Sequence, residues 1–253
     1  MKYKSFLILL LLLLSMQTFG QSDDVGNYTG GFSVGTGPEV MPKGKWMLET
    51  SVGSEFTKEM DIKKDIWSLN TSLIRYGLTK TTEVFTQVEL VSYKAAGETT
   101  TGFGPVMVGT LVRVCEEQGI VPLTSLTARV ILPVGIKVKR PDDIAPAFHA
   151  LFAHTLSSHW GLSYDLGLDW DGISAKPLTF TAASLTYNFS PSVGVTLENY
   201  NNFRKHQSPD FNMDLGCKWI ISRKVMFSAM GQMGLSSIGD KWGFIAGISW
   251  LIN

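Results

Sequence analysis

Three evenly spaced histidines are the first residues of the sequence that could perform chemistry. His149, His154 and His159 follow one another at intervals of five positions, and imidazole can serve as a metal ligand or a general base. In a continuous strand an interval of five reverses the face on which a side chain lies, so neighbouring histidines would not converge on one ion. We therefore predict interface or loop histidines, no metal site and no cofactor.

Ester hydrolysis is the second chemistry that the sequence suggests. Ser157 and Ser158 precede His159, and a serine beside a histidine base is the reactive core of many hydrolases, including lipid-modifying barrels. The two serines fall in a predicted turn, however, and no lipase-like motif surrounds them. We predict that the chain is not an enzyme and assign no catalytic residue, while a lipid-modifying barrel stays open as the third alternative.

The segments around these residues alternate between apolar and polar side chains, as strands with two different faces do. In residues 160–170 the even-numbered positions are all large and apolar, and the odd-numbered positions are glycine, serine or aspartate. A tilted strand of this length covers about 24 Å, the height of the apolar band of an outer-membrane barrel. A strand of a soluble sandwich also alternates, but its apolar side chains would face inward.

Twelve such strands can be placed from Gly44 to Asn253. Short turns alternate with longer or more polar connectors, which lie near residues 57–64, 94–102, 135–144, 171–176, 204–209 and 236–240. Bacterial outer-membrane barrels have this asymmetry and an even strand number. We predict an all-β fold, a transmembrane antiparallel up-and-down β-barrel of 12 strands over residues 44–253, with both ends of the barrel on the periplasmic side.

The residues ahead of the barrel predict export. Residues 1–20 combine Lys2 and Lys4 with an apolar block and end in small residues, which is typical of a signal peptide cleaved before Gln21. Residues 21–43, which we call the lead-in, are rich in glycine and polar side chains and are predicted to be irregular and periplasmic. The predicted location is the outer membrane of a Gram-negative cell.

The charge balance limits the partners. The chain has 22 Lys and Arg against 22 Asp and Glu, and removing residues 1–20 takes away two lysines and leaves a net charge of −2. No nucleic-acid partner is predicted. The expected partners are the lipid bilayer, lipopolysaccharide, the barrel-assembly machinery that commonly recognises a final strand, and a small-molecule solute of unassigned identity.

If the apolar side chains of each strand face lipid, the side chains at the alternate positions line the lumen. The predicted lumen-lining residues are Glu49, Glu83, Gln87, Glu89, Arg113, Arg129, Asp165, Asp169, Glu198, Asp214 and Lys218. Their acids outnumber their bases, and an open path with this lining would weakly favour cations. The same charges could instead pair and close the lumen, because eight-stranded barrels are filled, barrels of sixteen or more strands are open, and twelve lies between.

Large aromatic residues near the strand ends predict the two lipid interfaces. The candidate interface aromatics are Trp160, Trp170, Trp219, Trp242 and Trp250.

Several short segments resemble the outer-membrane family named for the meta-pathway of phenol degradation, whose members are often labelled transporters. They are Gly37–Glu49, Leu73–Glu83, Gly102–Gly109, Leu132–Gly135 and Gly247–Trp250, and they span nearly the whole chain after residue 20. The sequence departs from the family pattern at Pro105, where Asp is common, and at Asp165, where Asn is expected. The resemblance implies a channel or transporter for small solutes, aromatic or apolar compounds among them. The alternative to a channel is a closed structural or binding barrel whose outer loops carry the function.

Overall fold

Antiparallel strands form nearly all of this computed structural model, which describes residues 24–29, 34–59, 62–205, 207–236 and 240–252. The strands are β1 (Trp46–Glu59), β2 (Ile62–Gly77), β3 (Thr82–Ala95), β4 (Glu98–Phe103), β5 (Met107–Cys115), β6 (Leu123–Ile131), β7 (Ala145–Thr155), β8 (Trp160–Asp169), β9 (Leu178–Ser190), β10 (Val193–Phe203), β11 (Asp210–Ser222), β12 (Val225–Gly234) and β13 (Asp240–Ile252). Because β1 pairs with both β2 and β13, the sheet closes on itself as a barrel.

Two of the strands share one position in the barrel wall. One half of β3 pairs with β5 and the other half pairs with β4, and residues 104–106 interrupt the strand between them. Pro105 lies in this interruption and has no N–H to give to a ladder. The described residues therefore fill twelve positions around the barrel, and the predicted 12-stranded antiparallel barrel is confirmed.

Two of the predicted outer connectors are wrong. Residues 57–64 lie mostly in β1 and β2, where Lys58 pairs with Lys63, and residues 94–102 lie mostly in β3 and β4. Ala96 and Gly97 join the latter pair with φ of 49° and 86°, a two-residue turn that suits the twist of paired strands. Polar side chains on both faces made these strand ends look like loops. The turn predicted at residues 116–119 extends to 122.

The two faces of the wall have opposite character. Along β8, Leu166 and Leu168 are 49% and 42% exposed, whereas Asp165 of the same strand is 1% exposed. This arrangement is the reverse of a soluble protein and is typical of a barrel whose outer surface contacts lipid. The chain is an outer-membrane β-barrel, and its lumen carries the polar side chains.

The lead-in lies inside the barrel, and its predicted periplasmic placement is wrong for the residues described. Residues 25–27 form one short 3-10 turn, and residues 34–43 otherwise run as irregular chain against lumen side chains. Close packing is visible at Gly77, where a Cβ would clash with the carbonyl oxygen of Pro42. The predicted signal peptide, residues 1–20, lies outside the described residues. No helix in the described ranges is long and apolar enough to cross a membrane.

Candidate functional site

Arg75 of β2 is the centre of a charged cluster near the end of the lumen that is closed by the β2–β3 turn. Its Nε and Nη2 donate to the two carboxylate oxygens of Glu83 at 2.8 and 3.0 Å, and its Nη1 donates to Glu49 at 3.2 Å. Its remaining hydrogen bonds go to the lead-in, at 2.8 Å to the carbonyl oxygens of Tyr28 and Glu39. The planar guanidinium therefore has all five of its donors in use and joins two strands to the lead-in.

Lumen carboxylates hold the lead-in by its main-chain N–H groups. Glu83 accepts from Met41 at 2.7 Å, Asp165 accepts from Thr36 at 3.2 Å, and Glu198 accepts from Val34 at 2.8 Å and Gly35 at 3.2 Å. In return, the hydroxyl of Ser125 donates to the carbonyl oxygen of Pro38 at 2.6 Å. An irregular segment has no ladder of its own, so these side chains satisfy backbone groups that would otherwise be buried without partners.

Apolar contacts fix the same segment at two places. Val25 and Met41 pack with Met47, Met226 and Leu251 in one buried cluster. The second cluster unites Val40 with Leu111, Leu151 and Phe85. The lead-in is therefore packed against several sides of the wall as well as hydrogen-bonded to it.

His149 of β7 is the centre of a second network, further from the end closed by the β2–β3 turn. Its Nδ1 lies 2.6 Å from Asp165 and its Nε2 lies 3.0 Å from Asp169, while Arg129 reaches Asp169 at 3.3 Å. Both ring nitrogens therefore face carboxylate oxygens, and the ring itself is buried. Gly167 lies against the ring, where a Cβ would come within 2.5 Å of it. Asp165 links this network to the lead-in.

A third group of polar side chains lies on β10 and β11. Glu198 and Asp214 are directly opposite each other in the strand register. Glu198 accepts hydrogen bonds from the lead-in and, at 2.5 Å, from Ser184. Asp214 has no hydrogen-bond partner for either carboxylate oxygen among the described residues, although it is 1% exposed. These two acids therefore differ sharply in how their charge is compensated.

The predicted lumen-lining residues all lie on the inward parity of their strands, and none of the eleven is exposed. Those that border the internal cavity are Glu49, Glu83, Gln87, Arg129, Asp165, Glu198 and Lys218. Of the others, Glu89 accepts from Ser68 at 2.9 Å and Arg113 pairs with Glu116 at 2.7 Å. Their predicted part in solute passage stays a prediction.

The predicted interface aromatics lie on the outer face. Trp160, Trp219, Trp242 and Trp250 are each between 42% and 55% exposed. Trp170 follows β8, donates its indole N–H to the carbonyl oxygen of Ala175 at 3.2 Å and makes an edge contact with Phe148. Their depth in a bilayer stays a prediction.

Sequence reasoning missed Arg75 and His149. The interface-or-loop interpretation is wrong for His149, whereas His154 lies beside Tyr164 on the outer face and His159 lies in a turn. The signal was present in both cases, because Arg75 stands between Ile74 and Tyr76 and His149 between Phe148 and Ala150. A lone polar residue between apolar neighbours is expected on the lumen side of a barrel strand.

The residues considered for other chemistry are not brought together as a catalytic centre. The hydroxyl of Ser158 lies 2.9 Å from Nδ1 of His159, but both residues are exposed in the β7–β8 turn. In the described part of the chain no group of three or more His, Cys, Asp and Glu side chains has the geometry to hold a metal ion.

A cavity of about 610 Å³ remains inside the barrel beside the lead-in. Its boundary includes lead-in residues 34–39, apolar wall residues such as Leu73 and Phe85, and polar ones such as Thr127 and Asn188. Glu117, in the β5–β6 turn, also borders it and accepts from the N–H and hydroxyl of Thr155, which lowers the pKa of its carboxyl.

Comparison with known proteins decides the family. The family model described as "Putative MetA-pathway of phenol degradation" matches residues 22–252. The chain belongs to this family. No curated protein sequence is significantly similar to the chain.

Solved structures share the barrel fold of this family member at low sequence identity. An outer membrane channel from Pseudomonas putida F1 is 14% identical, with 87% of this chain and 99% of that chain covered and a TM-score of 0.66. The KdgM porin, solved in complex with disordered oligogalacturonate, is 8% identical over 79% of this chain and 98% of its own, with a TM-score of 0.55. The NanC porin is 7% identical over the same shares, with a TM-score of 0.51.

The segments that carry the family resemblance meet in space. Gly37–Glu49 and Leu73–Glu83 together supply the Arg75 cluster and the part of the lead-in bound to it. Gly102–Gly109 and Leu132–Gly135 meet where β4 ends, since Leu132 donates to Val106 at 2.8 Å. Gly135 has a φ of 98°, and a Cβ there would clash with backbone oxygens of residues 103 and 104.

Proposed function

We propose that this family member is an outer-membrane channel for small solutes, aromatic or otherwise apolar compounds among them. The observation that carries the proposal is the cavity of about 610 Å³ between the lead-in and the wall. Small-molecule sites commonly fall in the range of about 300–1,000 Å³, so the space suits a small organic molecule.

The lining of the cavity supports a solute with an apolar body. Leu73, Phe85 and Leu111 border it together with Met107 and Leu123. Arg75, Glu49 and Glu83 border the cavity and are engaged with one another, so a solute in the cavity does not have to displace Arg75 from its carboxylates. Polar groups such as Thr127 and Asn188 also border the space and offer hydrogen bonds to a hydroxyl group.

The likeness to other barrels supports the same proposal. The solved proteins that share this fold are described as an outer membrane channel and as porins, and the family is named for phenol degradation. A phenol combines an aromatic ring with one hydroxyl group, which matches the mixed lining of the cavity.

The test is transport by purified protein in a defined membrane. Planar bilayers containing the intact barrel should show discrete conductance steps, and liposomes should take up phenol faster than protein-free liposomes do. A variant lacking residues 24–42 should give larger conductance steps, because it removes the lead-in from the lumen. Well-folded wild-type protein that gives neither conductance nor uptake would contradict the channel.

A closed structural or binding barrel is the second candidate, and the occupied lumen favours it. The lead-in is bound by main-chain hydrogen bonds to Glu83, Asp165 and Glu198 and is packed in two apolar clusters. If wild-type protein were silent and only the variant lacking residues 24–42 conducted, the lumen would be plugged and this candidate would be preferred. The same pair of proteins therefore separates the two functions.

The proposal includes no catalysis. The only serine–histidine contact among the described side-chain hydrogen bonds joins Ser158 and His159, which are exposed neighbours in a turn. Incubation with phospholipid and lipopolysaccharide should give no hydrolysis and no acyl transfer. Turnover that disappears in His159→Ala would establish the enzyme alternative.

We further propose the export route and partners that the sequence predicts. Residues 1–20 act as a cleavable signal peptide, the lipid bilayer and lipopolysaccharide surround the barrel, and the barrel-assembly machinery binds the final strand. N-terminal sequencing of protein isolated from outer membranes should begin at Gln21. A mature chain that retains Lys2 and Lys4 would contradict cleavage.

A further inference from the structure

Asp214 of β11 is a buried carboxylate whose oxygens accept no hydrogen bond from the described residues. Both of its side-chain oxygens lack a hydrogen-bond partner among the described residues, and the residue is 1% exposed. Buried polar atoms in proteins nearly always have a partner, and an isolated buried charge is strongly unfavourable. The side chain therefore needs either a proton or a cation.

The neighbours of Asp214 increase this need. Glu198 lies directly opposite on β10, and like charges in directly opposed positions destabilise a sheet. Ser184 and the lead-in donate their hydrogen bonds to Glu198 and not to Asp214. Lys241 attracts Asp214 through space but gives it no hydrogen bond, and its Nζ lies 3.9 Å from Glu55 and 5.8 Å from the ring centroid of Tyr200.

A second unpartnered oxygen lies on the same face of the same strand. Oδ1 of Asn212 has no hydrogen-bond partner in the described part of the chain and the residue is 0% exposed, while its Nδ2 donates to the carbonyl oxygen of Asp210 at 3.4 Å. The amide therefore presents its oxygen to the interior. Gly234 is the register partner of Asn212 on β12, and a Cβ there would lie 3.7 Å from this oxygen and 3.0 Å from the Cβ of Lys241, so the stem of Lys241 bounds the space at Gly234.

Asp214 and Asn212 lie next to residues that border the cavity. Glu198 and Gln232 are the register partners of Asp214 on the two adjacent strands, and both border the cavity. Asp214 and Asn212 themselves lie beyond that border, towards the start of β11 and the outer loops. Asp214 and Asn212 therefore lie between the cavity and the outer loops on this side of the wall.

We propose that Asp214 and Asn212 form a binding subsite for a singly charged cation, either a primary ammonium group or an alkali-metal ion. Carboxylate and amide oxygens suit both ligands, since an ammonium donates hydrogen bonds and a hard metal ion takes oxygen ligands. A single carboxylate matches a single positive charge. A divalent ion is disfavoured because no cluster of three acidic, histidine or cysteine ligands occurs among the described residues.

The experiment measures binding directly and does not require transport. Butylammonium chloride is titrated calorimetrically into the purified full-length barrel in a non-ionic detergent, and butanol serves as the uncharged ligand of similar shape. Sodium chloride and potassium chloride form the second arm, with calcium chloride at equal ionic strength as a competitor. Wild-type protein should bind one cation per barrel and should bind butanol at least about 30-fold more weakly.

Two variants connect the binding with the subsite. Asp214→Asn keeps the shape, removes the charge and should weaken cation binding at least about 30-fold. Asp210→Asn is the matched control, since Asp210 shares the strand and the inward parity but its carboxylate accepts from Asn202 and Ser236. It should bind as wild type does. Asn212→Leu should weaken binding without changing net charge, and it tests the subsite even if Asp214→Asn fails to fold.

Several results would overturn the proposal. One is equal binding by Asp214→Asn and wild type, and another is the absence of saturable binding for butylammonium, sodium and potassium alike. A protonated-carboxyl infrared band that disappears in Asp214→Asn would show that a proton neutralises the group instead. Because binding and conductance are separate readouts, a conducting barrel without cation binding would refute the subsite alone, and a silent barrel that binds cations would refute the channel alone.

Discussion

The two acidic sites of the lumen are built in opposite ways. Near the end closed by the β2–β3 turn, Glu49 and Glu83 share one guanidinium, that of Arg75, which also holds two carbonyl oxygens of the lead-in. On β10 and β11, Glu198 is bound by the lead-in and Ser184, whereas its neighbour Asp214 accepts no hydrogen bond from any residue that the structure describes.

This difference suits the Arg75 cluster to holding the lead-in and Asp214 to binding a ligand. All five donors of Arg75 are in use, so its guanidinium has none to offer a ligand, and the cluster holds the lead-in in place. An unsatisfied buried acceptor retains its capacity to bind, and Asp214 is therefore suited to an exchangeable ligand. The predictions below test this contrast, beginning with the largest expected effect.

Removal of Arg75 should have the largest effect. Arg75→Met leaves Glu49 and Glu83 buried without a counter-charge and should lower the free energy of unfolding by about 3–5 kcal/mol. Urea unfolding of the barrel in lipid vesicles, followed by tryptophan fluorescence, measures the change. Arg113→Met is the control, because Arg113 pairs with the exposed Glu116 and should cost less than about 1 kcal/mol. Equal costs for the two arginines would refute the special role of the Arg75 cluster.

Crowding the ring of His149 should lower the stability of the barrel by an intermediate amount. Gly167→Ala introduces a Cβ within 2.5 Å of the ring and should destabilise the barrel by about 1–3 kcal/mol through displacement of the His149–Asp165 contact. Gly161→Ala on the same strand and face is the matched control, since its nearest neighbour would be a backbone oxygen at 3.9 Å. Chemical denaturation of both variants decides the matter, and indistinguishable midpoints would show that the ring is free to move.

Two buried serines should respond in opposite directions. Ser125→Ala removes the hydroxyl that donates to Pro38 of the lead-in and should cost about 1 kcal/mol. Ser249→Ala removes a buried hydroxyl without a partner and should be neutral or stabilising. The same urea titration reports both. A loss at Ser249 as large as that at Ser125 would mean that partner satisfaction does not distinguish these sites.

The smallest effect is expected in the outer loops. Arg204 contacts Asp171 at 2.6 Å, and backbone hydrogen bonds from Ser174 and Ile173 act with Arg204 to lower the pKa of Asp171 to about 2. Because the folded pKa is depressed, the stabilisation is present above the ordinary pKa of 3.8 and disappears as the pH falls towards 2.

Arg204→Gln should therefore lose at most about 1 kcal/mol at neutral pH, and the difference from wild type should shrink as the pH falls through 2. Hydrogen exchange in the β8–β9 loop follows this dependence. A difference that grows on acidification would contradict the assigned sign.

Strand periodicity made the barrel predictable, because alternation is local and each inward residue can be identified from its neighbours. The alternation is weakest as a predictor where the strand register shifts, as between Ser68 and Asn70 of β2. One extra residue there reverses the face on which every later side chain of the strand lies. This shift reverses the alternation within residues 65–76, the stretch that contains Arg75.

The position of the lead-in could not be predicted. Its glycines and polar residues describe an irregular segment equally well inside or outside a barrel, and only long-range contacts with Glu83, Asp165 and Glu198 decide between the two. The unsatisfied state of Asp214 was equally hidden, because it depends on which neighbouring carboxylate receives the available donors.

The central claim is that solute passes beside a lead-in that stays seated in the lumen. Cysteines at Val40 and Leu151, which share one apolar cluster, can be joined by an oxidant or by a short bis(methanethiosulfonate) reagent, which forms a reducible disulfide at each thiol, after Cys115 and Cys217 are changed to serine. We predict that the cross-link forms in the folded barrel and leaves the single-channel conductance within about twofold of the reduced protein. This range corresponds to less than about 0.5 kcal/mol in the free energy of permeation. A cross-linked barrel that is silent and conducts only after reduction would contradict the account.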